Sequence, residues 1–253
     1  FVFSISFAQE KAAIKEYSFT ELFKMIDEET DTVFHLSNAQ IILDTLTDQQ
    51  YIIDPQEFMD AYTVGRSNKI QLNKIIDKQI IFENINFKNN SGGNWFKSAM
   101  GIFINIHFKK KMTCTNVFGL RIFDSQFEDE VRFLWDKNFS KEDQLKSSFI
   151  INCHFNGSFR LISRAEENIN LEQELQFLLA DNIFNQDKSE KTTLTYDSKI
   201  LWNLTLVRNK FYGKGVFLLR SFEPESLEIR ENVFENQTNI SFLISDVIPI
   251  FLR

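Results

Sequence analysis

Three stretches of the chain carry one order of apolar and polar positions: apolar, any, apolar, any, any, Asn, any, Phe. They occupy 177–184, 204–211 and 227–234, and end Asn182-Ile183-Phe184, Asn209-Lys210-Phe211 and Asn232-Val233-Phe234. In a strand alternate side chains share a face, so the apolar-any-apolar triplet buries two residues on one side. Asn tolerates left-handed backbone and suits a bend. A short second strand beyond the bend would return Phe to the same interior. Looser copies run Ile80, Phe82, Ile85, Phe87; Leu120, Ile122, Ser125, Phe127; and Ile150, Cys153, Phe155. With Phe108 added, the marker Phe residues Phe87, Phe108, Phe127, Phe155, Phe184, Phe211 and Phe234 lie 19 to 29 residues apart. Such spacing predicts coils joined by loops of unequal length.

Most markers are followed by a further strand-like run. Val131-Arg132-Phe133-Leu134-Trp135, Phe159-Arg160-Leu161-Ile162, Val216-Phe217-Leu218-Leu219 and Ile240-Ser241-Phe242-Leu243-Ile244 are the clearest. Each coil thus offers two or three short strands separated by Gly- or Asn-bearing turns. One unit cannot close a core; stacked units can, with strands about 4.8 Å apart and like residues over like.

Over about residues 76–246 these coils resemble the right-handed parallel β-helix superfamily, whose pectate-lyase-like members repeat a Leu-x-Ile-x-x-Asn-x-Phe unit. The resemblance implies an internal ladder of Asn182, Asn209 and Asn232 at a tight turn. Phe184, Phe211 and Phe234 would pile up beside it. Ser125, Cys153 and Ile85 depart from the pattern. A pentapeptide-repeat solenoid is the second resemblance, but its strict five-residue period is absent.

The N-terminal third reads differently. Residues 1–8 are apolar with small Ser6 and Ala8, then polar Gln9-Glu10, which reads as the tail of a secretory signal peptide. The alternation of Phe1, Phe3, Ile5 and Phe7 also permits a strand. Ser18-Phe19-Thr20-Glu21 is a capping box, and Leu22, Phe23, Met25 and Ile26 give the next turns an apolar face. A short helix there would cover the open end of the stack. Residues 32–36 and 41–43 read as two strands. Residues 9–75 therefore form a cap with the first strands, and 76–253 the coils. The polar stretch 185–199 is expected to project from the stack. The expected fold is all-β: a right-handed parallel β-helix with a short N-terminal capping helix.

Composition narrows the function. Phe is the excess residue, 28 against 3 Trp and 5 Tyr in 253 residues, and a ring ladder uses Phe without hydroxyl partners. A net charge of −7 argues against nucleic acid as partner. No apolar run is long enough for a transmembrane helix. Cys114 and Cys153 read as buried free thiols. His35, His107 and His154 lack metal-site spacing, and no phosphate loop, nucleophile elbow or zincin helix occurs, so no cofactor, metal or catalytic residue is assigned. Acidic groups such as Asp124 with 128–130, or Glu228 with Glu231, fall at turns, where carboxylates are ordinary.

Arg132 and Arg160 each sit five residues after a marker Phe, and Arg220 lies further along. These three form a candidate binding row for acidic glycans or a partner's carboxylates; the alternative is solubilising charge paired with nearby Glu. The reading is an exported, non-catalytic solenoid that binds a protein partner in the periplasm or at the cell surface of a bacterium. A carbohydrate-active β-helix acting on acidic polysaccharide is the alternative. A third, drawn from the apolar ending at 248–253, is the extracytoplasmic part of a longer membrane protein.

Overall fold

Strands of like position pair in parallel along three sheets of the computed structural model, which describes residues 14–44, 46–51, 65, 70–89, 102–136, 148–163, 175–186, 192–198, 202–213, 215–222, 226–235, 239–245 and 251–252. The first sheet has nine strands in the order β1 (Lys15–Ser18), β2 (Val33–Leu43), β4 (Gln79–Asn89), β7 (Met112–Thr115), β10 (Val131–Trp135), β13 (Phe159–Ser163), β16 (Thr192–Ser198), β19 (Val216–Phe222) and β22 (Asn239–Ser245). The second has seven: β5 (Phe103–Ile104), β8 (Arg121–Phe123), β11 (Ser148–Ile151), β14 (Leu175–Ala180), β17 (Trp202–Val207), β20 (Ser226–Arg230) and β23 (Phe251–Leu252). The third also has seven: β3 (Lys74–Ile76), β6 (Ile106–Phe108), β9 (Gln126–Phe127), β12 (His154–Phe155), β15 (Ile183–Gln186), β18 (Lys210–Gly213) and β21 (Val233–Phe234). From β5 on, the chain visits the second, third and first sheets in turn, then starts the next coil. The protein is a parallel β-solenoid.

The corner between the second and third sheets explains the repeated octet. Asn105, Asp124, Asn152, Asp181, Arg208 and Glu231 all hold φ between 48° and 58° there. These residues precede the Ile106, Ser125, Cys153, Asn182, Asn209 and Asn232 column. The left-handed residue is therefore not the octet's Asn, as the sequence suggests, but its predecessor. The Asn that follows turns inward. Asn182 and Asn209 are wholly buried. The Asn209 Oδ1 accepts from the Asn182 backbone N–H (3.1 Å) and Nδ2 (2.9 Å), and Asn232 does the same for Asn209. Their amides donate to the carbonyls of Ile150, Leu179 and Leu206 in the coil before. Each Asn thus closes the polar groups that a sharp bend leaves open inside a core. Ser125 does part of this, its Oγ accepting from the Ile106 N–H at 3.2 Å; at Cys153 it is the backbone N–H that donates, to the Asn182 Oδ1 at 2.9 Å.

Two residues on, the phenylalanines stack. Rings of Phe108, Phe127, Phe155, Phe184, Phe211 and Phe234 lie 4.7 to 4.9 Å apart at 10° or less to one another. Ile76 precedes Phe108 in this column. Phe87 does not belong to it. The segment 80–87 lies within β4 of the first sheet, where Phe82 and Phe87 pack edge-on at 5.9 Å. The looser copy at Ile80 imitates the octet because β2 and β4 have their own left-handed bends at Asn38 and Asn84 (both φ 53°). Hence 33–43 is one bent strand rather than two.

A second correction concerns 185–199. Residues 192–198 do not project; they form β16, paired with β13 and β19. The Thr and Tyr residues of this stretch favour strands, so its polarity is no evidence for a loop.

The helix α1 (Phe19–Glu28) has the expected capping box, with Ser18 Oγ accepting from the Glu21 N–H at 3.1 Å and Glu21 Oε2 accepting from the Ser18 N–H at 2.7 Å. Buried Asp48 reinforces it, its carboxylate accepting from Phe19 N, Thr20 N, Thr20 Oγ1 and Asp44 N. At the other end the Lys78 ammonium donates to the carbonyls of Ile26 (2.6 Å) and Glu29, a favourable place for a cation. Phe19 and Phe23 meet Phe87 and Phe103 edge-on, so the helix covers the first coils.

Among the described residues, the middle strands of the second sheet are buried on both faces. Ile122, Ile150, Leu179 and Leu206 point into the core, yet Phe123, Phe149, Ile151, Leu178, Ala180 and Val207 on the other face are also buried and form a cluster of their own. Gly65 (φ 95°) comes against this flank; a Cβ on it would meet Arg208 Nε at 2.9 Å and the Asp181 carboxylate at 3.3 Å. Gly157 allows another close approach, because a side chain there would strike the Asp129–Glu130 peptide of the preceding coil. Phe1 to Ala8 and the ending at 248–250 lie outside the described residues.

Candidate functional site: the outer face of the nine-stranded sheet

Parallel pairing without stagger turns single residues into rows. On the outer face of the first sheet, Ile81, Thr113, Arg132, Arg160, Thr195 and Leu218 stand in register, one per coil. The next row holds Glu83, Thr115, Leu134 and Ile162. The side chains in both rows are half-buried. The surface is therefore ordered in rows, fixed by the sheet's hydrogen bonds, and part apolar.

Arg132 and Arg160 are direct neighbours in this pairing, about 4.8 Å apart by strand spacing. Arg220 is not in their row. The position aligned with Arg160 two coils on is Leu218, which puts Arg220 in the neighbouring row, paired with Asp197 and Leu243. A five-residue offset from the marker Phe finds the first two arginines and misses the third because the turns differ in length.

The charges are unevenly answered. Glu130 Oε1 lies 3.5 Å from Lys111 Nζ and 3.9 Å from Arg160 Nε, beyond hydrogen-bond distance for the arginine. Among the described residues Arg132 has no ion pair, and the Nε atoms of both arginines are buried without a hydrogen-bond partner. Two like charges side by side in a sheet repel each other, and a bound carboxylate or other oxyanion would relieve both.

Other chemistry-bearing groups have structural partners. On the outer face of the third sheet Glu128 meets His107 Nε2 (2.8 Å), Gln126 Nε2 (2.6 Å) and Asn156 Nδ2 (2.8 Å), stitching three coils together. These contacts hold its carboxyl below the usual glutamate value, with the Asn156 hydrogen bond the largest cause. His154 follows Gln126 in the same row. Asp124 accepts from Asn152, and Arg230 lies between Glu228 (2.8 Å) and Glu231 (3.8 Å). Both cysteines are buried free thiols, and burial pushes the Cys114 thiol up. Among the described residues no group of three or more His, Cys, Asp or Glu is arranged to hold a metal ion, and no helix is long and apolar enough to cross a membrane.

Fold and face together define a parallel β-solenoid that presents a ladder-ordered outer sheet. No protein-family model, curated protein or solved structure matches the chain.

Proposed function

We propose that the protein is a non-catalytic binding or scaffold domain of the right-handed, pectate-lyase-like β-helix kind. It is exported to the periplasm or cell surface of a bacterium and holds a protein partner on the outer face of the first sheet. The observation that carries this reading is the in-register pair Arg132 and Arg160, set among half-buried Ile81, Thr113, Leu134 and Ile162. A part-apolar surface with two adjacent guanidinium groups, whose Nε atoms have no hydrogen-bond partner, suits a partner that brings carboxylates to an apolar contact.

A photo-crosslinking residue at Ile162, with another at Ile75 on the third sheet (60% exposed) as control, tests it in the native envelope. One defined protein should crosslink from position 162, not from 75, and should be lost in Arg132→Glu/Arg160→Glu. Equal labelling from both positions, or labelling indifferent to the charge reversal, would overturn the reading. The same arginine pair favours the second reading, an acidic polysaccharide bound or cleaved along this face. Arginine-dependent binding or turnover of polyuronate by the purified chain would select that reading instead.

A further inference from the structure

A separate cleft of about 580 Å³ opens between α1, the short 3-10 turn Gln49–Tyr51 and the first turns of the second and third sheets. Its volume is within the range of about 300–1,000 Å³ typical of small-molecule sites. Part of the lining is apolar: the Phe23 and Tyr51 rings stack at 5.1 Å and 4°, and Ile104 also lines the cleft. Amide side chains of Gln50, Asn73 and Asn105 line it, offering both donors and acceptors.

The cleft's charges are already spent on each other. Lys74 Nζ is 2.7 Å from Asp27 Oδ2 and 5.0 Å from the centre of the Phe23 ring, and Lys24 pairs with Glu28 at 3.8 Å. A charged ligand would compete with these pairs, whereas a neutral one would leave them in place. The walls are also set in advance. The Asn105 carbonyl accepts from the backbone N–H groups of Asn73 (2.7 Å) and Lys74 (3.3 Å), and Tyr51 N–H donates to the Asp48 carbonyl at 2.9 Å. The backbone of the walls therefore needs little ordering on binding.

We propose that this cleft binds a neutral, hydroxyl-bearing ring ligand of one or two sugar units, with its apolar side toward the Phe23–Tyr51 wall and its hydroxyls on the amides. The proposal does not rest on the function assigned to the first sheet. It is tested by titrating the purified chain with methyl glycosides of glucose, galactose and N-acetylglucosamine and their disaccharides, following Tyr51 ring resonances and heat. Galacturonate and glucosamine serve as charged counterparts. At least one neutral probe should bind saturably and shift Tyr51, and its charged counterpart should bind more weakly. Gln50→Ala/Asn73→Ala, at two exposed positions, should weaken binding about tenfold or more with the melting temperature unchanged. Absence of saturable binding by every neutral probe, indifference to the double substitution, or preference for the charged counterpart would each overturn it.

Discussion

Glu231 shows what a single position can cost in a repeating corner. It sits in the left-handed region (φ 57°) where four of the other five coils place Asn or Asp, and its side chain is exposed. For an L-residue without a short polar side chain this conformation costs about 1–2 kcal/mol. Glu231→Gly removes that cost and gives up only the 3.8 Å contact with Arg230. Allowing for glycine's greater freedom in the unfolded chain, the variant should be more stable by about 0.5–1 kcal/mol, read from urea unfolding. Arg208 holds the same conformation (φ 51°), but its guanidinium grips Asp181 in two hydrogen bonds of 2.7 and 3.0 Å. A change there loses more than it relieves. Glu128 sets a pH dependence. A carboxyl with lowered folded pKa contributes stability that is present above its unfolded value, about 4.3, and lost as pH falls through the folded value. Asn156→Ala removes the largest cause of that shift. Its carboxyl titration, followed by NMR, should move up toward the ordinary value, and the acid loss of stability should become shallower.

Among elements, the short strands of the third sheet matter more than their length suggests. All seven are two to four residues long, and six of them commit one phenylalanine each to the ladder, β3 supplying Ile76 instead. Phe184 is wholly buried between Phe155 and Phe211, with Phe159 against its edge. Truncation to Ala should cost about 3–5 kcal/mol. Phe234 is half-buried and stacks on Phe211 alone within the ladder, so Phe234→Ala should cost clearly less in the same urea experiment. Equal costs would contradict both the difference in burial and the two-sided stacking of Phe184. The octets at Phe184, Phe211 and Phe234 were legible because both strands and the corner between them recur in one register. The copy at Ile80 was misread because apolar spacing alone cannot separate a corner from a bent strand. The polar run that became β16 was misread because β13 and β19 on either side supply the hydrogen bonds that its own composition does not announce.

For the molecule as a whole, a stack in which each coil touches only its neighbours behaves as a row of coupled units. The described stack begins under α1, whose two ends are held by Asp48 and Lys78. At the other end β21 has no further partner among the described strands, and Val233 and Ile240 are 41% and 43% exposed. Amide exchange should therefore be slowest in the central strands β8, β11 and β14 and quicken toward β21 and β22. Uniform protection from end to end would contradict nearest-neighbour coupling.

Local pattern determined the coil: apolar alternation, an Asn that satisfies a bend from inside, and a Phe that returns to the core are all properties of eight consecutive residues. The capping box of α1 is local in the same way, and both were readable without coordinates. Three matters were decided only by the tertiary structure. Register between coils set Arg132 beside Arg160 and left Arg220 in another row, because turn lengths accumulate between strands. The outer face of the second sheet became a second buried cluster; runs such as Phe149-Ile150-Ile151 hint at burial on both sides, but what lies over a sheet is a long-range matter. The cleft at Tyr51 unites residues from 20 to 106, and no spacing in the chain announces a wall made by three distant turns.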